Sequence, residues 1–574
     1  MANYSVRPWE GDSLLDHLLF HRGITDPTER EAFLSPDYEK GIHDPMMFAD
    51  IKPAIKRIRK AIKDGERIAI FSDFDADGLP GATILHDFFK KISYLNFENY
   101  IPHRHLEGFG LNNEAIDKMH DRGTNLIITI DCGITDVEKV DYANSLGIDV
   151  IITDHHLPGV QLPKALAVID PKREDCKYAE KMLCGSGVIF KVIQALLIDD
   201  RSRSEKDQMF SAAKIGWEKW LLDMVGLATL SDMVPLRGEN RVFAHFGLRV
   251  LRKSPRLGIM KLLHSLGVKQ ETLVEDDIGF LITPRINAAS RMADPVDAFK
   301  MLTAATDEEA DIAVRHLNKL NDERKGTVAA MIKEIKKKVE ERSLQDRPVL
   351  ALGNPNWKPA LLGLAATSLV RDYGRPVFLW GRDENGVLKG SCRSDGAADI
   401  VELMRSLDPK IFIDKGGHKM AGGFSLSNEY VHLFADALCE SYAAVAAQQK
   451  ANIEAGIIIE TFVDAVLDPQ DITWETYSHI EKLAPFGEAN PKPLFMIKQA
   501  PLTGIKMFGK TGNHLEVNFS GARGKKVSAI QFFCEPTEKL NALKAGDAVS
   551  LVVTMEKSVF RNFPELRLRI VDIL

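Results

Sequence analysis

The chain is 574 residues long, 45% hydrophobic and 27% charged, with a formal net charge of −7. That length predicts three to four domains, the composition excludes disorder, and the acid excess argues against a basic coat for duplex DNA. No apolar run reaches the roughly 18 residues of a membrane-spanning helix, and the opening MANYSVRPWEGDSLLDHLLF has no basic-then-apolar export pattern. Six scattered cysteines without a CxxC pair indicate neither a zinc knuckle nor a disulfide scaffold, so reduced thiols in a cytoplasmic protein are expected.

Taken in chain order, residues 67–72, 125–131, 149–154 and 166–170 are β-branched, unalternating runs the length of buried strands. Helical stretches over 81–91 and 135–146 lie between them, which predicts a parallel sheet with crossover helices. In such sheets ligands bind outside the carboxyl ends of the strands. Residues 200–300 read as mainly helical, and 307–342 as one long charged helix whose Lys run faces water. Strands resume at Arg347, and glycine-rich stretches at 386–394 and 416–424 fall in a smaller α/β domain over about 346–440. A helix containing SYAAVAAQQKA follows. From Gly456, six short strand-like runs (GIIIETFV, PLFMIKQA, HLEVNFS, KVSAIQFF, AVSLVVTM, LRLRIVDIL) predict a small barrel.

The chemistry concentrates at the predicted strand ends. The first strand runs into Asp73, Asp75 and Asp77 ahead of Gly78, the second into Asp131, the third into Asp154-His155-His156. Three carboxylates in five residues repel one another unless a cation sits between them; a solvated acidic turn is the bland alternative, and a calcium loop lacks the Glu that EF-hand spacing requires. Asp232, within the apolar LSDMVPL, would be costly if buried alone. Asp and His donors without Cys favour Mn²⁺ or Mg²⁺, and about six ligands suit two ions, the usual clamp for displacement at phosphorus. The reaction class is metal-assisted phosphoester hydrolysis.

The stretches DFDADG, IDCG, TDHH and SDMVPL resemble the four motifs of the DHH phosphoesterase superfamily. IPHRHLEGFGLN, CGSGVIFK, RINAASRM, GGHKMAGG and PFGEANPKPLF resemble its single-strand-specific 5′→3′ exonuclease branch, nearly end to end. That resemblance implies a DHH domain with an N-terminal segment (1–300), a connecting helix (301–345), a DHH-associated substrate-binding domain (346–440) and a C-terminal OB fold (450–574). It implies Asp73, Asp75, Asp77, Asp131, His155 and Asp232 as ligands of two divalent cations, with Asp131 bridging. Asp154 would orient His155, and His156 would lie near the scissile phosphate. Arg104, Arg285, Ser391 and Arg393 would hold the 5′-terminal phosphate and first nucleotides, and Gly416, Gly417 and His418 the strand. Single-stranded DNA would be the substrate, acted on by a monomer in recombination and repair, with a single-stranded-DNA-binding protein and a helicase as partners and no membrane. Phe508, Phe519, Phe532, Phe533, Phe560 and Phe563 are candidate base contacts in the barrel, although most barrel aromatics are core. Four positions depart from the superfamily pattern: Gly is expected at Ala360 and Ser290, a smaller residue at Cys392, and Ala-Ala-Gly where Ala421-Gly422-Gly423 stands.

Overall fold

The structure, a computed structural model, describes residues 4–454, 461–509, 512–534, 543–558 and 564–574. It divides into two compact units: one of Asp44–Asp232 and Leu248–Ile458, the other of Met1–His43, Met233–Gly247 and Ile459–Leu574.

The first unit opens on the predicted sheet. Its strands are β1 (Arg67–Ser72), β2 (Phe97–Tyr100), β3 (Thr124–Ile130), β4 (Asp149–Thr153) and β5 (Ala167–Ile169), all parallel, in spatial order β2-β1-β3-β4-β5. β1, β3 and β4 are buried almost throughout, the burial that β-branched runs without alternation require. Helix α1 (Gly78–Lys91) follows β1, α2 (Val137–Ser145) follows β3, and α3 (Gly185–Arg201) lies against α1. The chain leaves β1 for β2 on one side and returns to β3 on the other. The crevice where strand order reverses therefore opens between the ends of β1 and β3, where Asp73 and Asp131 stand. β2 is a short edge strand with half-buried residues, too weakly patterned to be read from sequence.

The long helix α4 (Asp307–Glu341) starts on a capping box between Thr306 and Glu309. The second sheet of this unit comprises β6 (Leu350–Gly353), β7 (Val377–Arg382), β8 (Leu388–Arg393), β9 (Phe412–His418) and β10 (Ala421–Leu426), in order β9-β10-β8-β7-β6. Only β6 and β7 pair in parallel. Its two faces pack on separate cores, one including Met331, Ile335 and Val339 of α4.

The second unit contains β11 (Phe495–Pro501), β12 (Gly504–Phe508), β13 (His514–Ser520), β14 (Lys526–Phe532), β15 (Ala548–Ser558) and β16 (Glu565–Ile573). They pair in the order β11-β15-β16-β14-β13-β12. Beyond β11 the sheet adds one more short strand, Ala465–Val466, paired in parallel with Phe495 and Met496, and β11 runs on into β12 through Leu502 and Thr503. The other neighbours are antiparallel, and β14 and β16 are parallel.

Two readings change here. The N-terminal segment, expected with the first domain, belongs to the barrel's unit. Tyr4–Val6 pairs in parallel with Thr461–Val463, and Leu15, Leu18, Leu19 and Phe33 enter the core that holds Phe495, Ile497 and Phe519. The run GIIIETFV accordingly supplies no barrel strand over its described part, and its residues 456–460 lie outside the described residues. Phe560 and Phe563 also lie outside them. Among the described residues, no helix is long and apolar enough to cross a membrane.

Candidate functional site

The turn after β1 is tied down by its own carboxylates. Asp75 Oδ1 accepts from the N–H groups of Asp77 (2.8 Å) and Gly78 (3.1 Å), opening α1. Gly78 has no substitute, since a Cβ there would lie 2.4 Å from the Asp73 carbonyl oxygen. Asp77 crosses to the N-terminus of α3, where its carboxylate accepts from Gly185 N–H (2.6 Å) and Ser186 N–H (2.8 Å). That is the favoured place for an anion on a helix and the physical content of the CGSG stretch, which sequence alone left unexplained. At the end of β3, Asp131 sits at φ 62°, left-handed backbone unusual for a non-glycine residue, and its N–H donates to Thr153 (2.9 Å).

These turns bring the six expected ligands together. Three groups have donor atoms within 4.8 Å of one another: Asp73, Asp75 and Asp131; Asp77, His155 and Asp232; and Asp131, His155 and His156. Asp131 belongs to two of them, as does His155. His155 Nε2 lies 3.1 Å from Asp131 Oδ1, 3.7 Å from Asp77 Oδ2 and 3.8 Å from Asp232 Oδ2. Burial, reinforced by neighbouring carboxylates, raises Asp73 and Asp131 well above the usual carboxylate range, raises Asp77, and lifts Asp232 to about 8. Burial lowers His155. So many carboxylates cannot all ionise here without positive charge among them. Asp73 Oδ1 and Asp131 Oδ1 are buried without a hydrogen-bond partner, the donors are oxygen and nitrogen with no sulfur, and the set therefore fits hard divalent cations.

Two expectations are corrected. Asp154 does not hold the His155 ring: its Oδ1 accepts from the N–H groups of His155 (2.7 Å) and His156 (3.2 Å) and lies 2.8 Å from His156 Nδ1, while Oδ2 accepts from Ile134 N–H. With those bonds taken, the residue it orients is His156. Against the cost of burial, that contact keeps Asp154 below its ordinary pKa and His156 above. Asp232 is not enclosed by its apolar neighbours. Its side chain is 30% exposed at the end of the Leu222–Ser231 helix, and Met233 beside it faces solvent.

Two cavities flank the cluster. One of about 810 Å³ is lined by Arg104, Ala360, Lys389, Gly390 and Gly416 among others. Arg104 lies over Phe74 of the DFDADG turn, 4.8 Å from the ring. Near it gather arginines that the sequence reading passed over. Arg291 donates to the Ala360 carbonyl (2.7 Å), and burial plus repulsion from Arg104, Arg324 and Arg393 pushes it down to about 10. Guanidinium groups crowded in this way have the chemistry to receive an anion. Arg393 and Ser391 reach the same helix, Pro359–Tyr373: a Cβ on its Gly363 would lie 2.8 Å from an Arg393 nitrogen and 3.6 Å from Ser391 Oγ. Arg285 is not brought there by any contact of its own; it bonds Asn318 Oδ1 and the Leu281 carbonyl, both at 2.7 Å. The signal for Arg291 was present in RINAASRM, but two arginines in one motif cannot be ranked without the fold.

The second cavity, about 720 Å³, joins His156 to His418, with Lys172 and Lys181 on its wall. Gly417 lies on the β9–β10 hairpin at φ 145°, where a Cβ would fall 2.4 Å from the Ala421 carbonyl oxygen. Two of the departures from the superfamily pattern meet here. Cys392 and Gly422 are cross-strand partners, and a Cβ at 422 would sit 3.1 Å from Cys392 Sγ. A Cβ at 422 would also lie 2.9 Å from the Gly416 carbonyl oxygen across the hairpin, so glycine is needed there on both sides.

A parallel sheet that delivers carboxylates and imidazoles to its switch point, beside an arginine-lined pocket, defines a metal-dependent phosphoesterase of the DHH class. The description "DHH family, N-terminal domain" matches residues 67–229, "DHHA1 domain" 346–463 and "RecJ OB domain" 463–572. The single-stranded-DNA-specific exonuclease RecJ of Bacillus subtilis is 32% identical over 563 residues, covering 97% of this chain and 67% of that one. Its Escherichia coli namesake is 33% identical over 85% of this chain and 84% of its own. The crystal structure of RecJ from Thermus thermophilus in complex with Mn²⁺ superposes with a TM-score of 0.75 at 25% identity, covering 98% of this chain and 76% of that one. The chain belongs to the RecJ family.

Proposed function

We infer that this chain is a single-stranded-DNA-specific exonuclease that works from the 5′ end, releases 5′-mononucleotides, and uses two divalent cations, Mn²⁺ or Mg²⁺. The observation that carries the reading is Asp131, common to two donor groups at the sheet's switch point. Asp73, Asp75, Asp77, Asp131, His155 and Asp232 would hold the cations. When bound, these activate the attacking water and neutralise charge on the phosphoryl oxygens. His156, oriented through Nδ1 by Asp154, directs its other ring nitrogen at the phosphate undergoing attack. Arg104, Arg291, Ser391 and Arg393 receive the 5′-phosphate; Gly416, Gly417 and His418 hold the nucleotides that follow. Arg285, on the Thr283–Met292 helix and held by Asn318 of α4, supports them.

The polarity has a chemical rationale. Water adds to the second phosphate, the bond from phosphorus to the first nucleotide's O3′ breaks, and that oxygen takes a proton as the mononucleotide leaves. The shortened strand again begins with a 5′-phosphate, so the same pocket serves every cycle. We assign catalysis to the part of 1–300 that lies in the first unit, connection to 301–345, substrate binding to 346–440 and strand binding to 450–574 with the N-terminal segment packed on it. A monomer acting in the cytoplasm in recombination and repair, with a single-stranded-DNA-binding protein and a helicase supplying strands, completes the proposal. The test compares 5′-phosphorylated, 5′-blocked and 3′-blocked single strands with Mn²⁺. Degradation that survives the 3′ block and fails with the 5′ block is expected; the reverse overturns the polarity.

A further inference from the structure

The wall of the second cavity carries a cation that the catalytic account leaves unused. At the end of β5 the chain turns through Asp170, Pro171 and Lys172. Asp170 is fully buried, and its Oδ1 accepts from the Lys172 N–H at 2.7 Å. A carboxylate bonded to the backbone two residues on, with proline between, fixes a tight turn. β5 pairs with β4, and past the end of β4 the Asp154 N–H donates to the Ile169 carbonyl at 3.1 Å. Lys172 therefore leaves the sheet beside the Asp154-His155-His156 stretch, at the edge where the donor groups gather.

Lys172, Arg173 and Lys181 all line this cavity, and two of them are committed. The Arg173 guanidinium donates to the Val168 carbonyl (2.5 Å), to Asp50 Oδ2 (2.6 Å) and to both carboxylate oxygens of Asp175. Lys181 Nζ donates to the Cys176 carbonyl at 2.7 Å. The Lys172 ammonium makes no hydrogen bond or ion pair among the described residues. Yet Lys172 is half-buried, and its charge reaches His155, Asp170 and Asp232. A half-buried ammonium held near an acidic centre without pairing to it suits an anion brought in from solution. The course of the cavity names that anion. It joins His156 to His418, so a strand whose second phosphate lies at His156 carries its third along this wall. A point charge on a flexible stem suits a phosphate that arrives and moves on with each cycle.

We propose that Lys172 binds the phosphodiester one nucleotide beyond the scissile one, the third phosphate from the 5′ end. The proposal rests on the 5′-end reading above and adds a contact that outlasts each cleavage. Once the mononucleotide has left, the phosphate held by Lys172 is the next to be attacked. Asp170 is the positioning residue, since its carboxylate sets the turn from which Lys172 reaches out. The test removes charge from either side of the contact. The full chain in Mn²⁺ is given a 5′-phosphorylated oligothymidylate of about 20 nucleotides, and its counterpart with a neutral methylphosphonate as the third linkage. Release of the first nucleotide is read as kcat/KM. The parent cuts the methylphosphonate strand about tenfold less efficiently, with the change in KM. Lys172→Ala is about tenfold less efficient on the ordinary strand and no longer distinguishes the two, whereas Lys172→Arg distinguishes them as the parent does. All three chains melt at one temperature. A parent indifferent to the methylphosphonate overturns the proposal, as does a Lys172→Ala chain that still discriminates. A parent that releases nothing from either strand would instead sink the exonuclease reading.

Discussion

Gly185→Ala probes the metal centre through a residue that ligates nothing. Gly185 opens α3, and its N–H donates to Asp77 Oδ2 at 2.6 Å. A Cβ there would lie 2.6 Å from Asp131 Cβ, 2.8 Å from its Oδ1 and 2.9 Å from its Cα. Ordinary contact begins at 3.4 Å, so Asp131 or the helix start must move by about 0.8 Å. Neither is free: Asp131 is pinned through its N–H to Thr153, and α3 through Gly185 and Ser186 to Asp77. Overpacking of this kind costs about 1–3 kcal/mol, and a displacement near 1 Å at a reacting centre costs about 10²-fold in rate. The expected outcome is a lower melting temperature without metal, a Mn²⁺ half-saturation raised about 10–100-fold, and about 10²-fold slower hydrolysis at saturating Mn²⁺. Manganese titrations of hydrolysis for parent and variant supply the check. A variant with parental half-saturation and rate would refute the argument that Asp131 is held in place by the absence of a side chain at 185.

Asp154→Asn removes the negative charge beside His156 Nδ1 and should slow hydrolysis about 10²-fold while leaving Mn²⁺ affinity nearly unchanged, read as rate against Mn²⁺ concentration. Arg291→Ala should erode the preference for 5′-phosphorylated over 5′-hydroxyl strands more than it slows a single turnover, measured as the ratio of kcat/KM values. Without metal, stability should fall as pH rises. Asp73, Asp77, Asp131 and Asp232 are raised from 3.8, so their contribution is whole below that value and is lost as pH climbs through the folded values, about 8 for Asp232. His156 is raised and acts with them; His155 and Asp154 are lowered and act the other way, Asp154 only below its ordinary carboxylate range. Melting curves from pH 5 to pH 8 with EDTA and with Mn²⁺ test this: the metal should raise the melting temperature more at pH 8.

The catalytic sheet was legible because its strands are buried on both faces and end in carboxylates. Periodicity and charge alone gathered Asp73, Asp75, Asp77, Asp131 and His155 at one edge, and the donor groups within 4.8 Å follow from that topology. What sequence could not rank was anything decided by side-chain direction. Asp154 stands one residue from His155 and two from His156, and only the backbone shows that its carboxylate turns to the second. The apolar LSDMVPL read as burial, whereas Met233 points outward and the Asp232 side chain stays partly exposed. Arg291 and Arg285 share one helical motif and separate only when α4 claims Arg285 through Asn318. The N-terminal segment joins the barrel by a three-residue parallel pairing, Tyr4–Val6 with Thr461–Val463, across a sequence distance no local pattern spans. Cys392 and Gly422 looked like unrelated departures until register made them neighbours.

The most direct measurement of the central claim is product release from an end-labelled single strand and from its blunt duplex, side by side, in Mn²⁺ and in EDTA. Labelled 5′-mononucleotide should appear first and only from the single strand, only with metal, and should vanish in Asp75→Ala. Release from the 3′ end, equal attack on the duplex, or hydrolysis that persists in EDTA would contradict it.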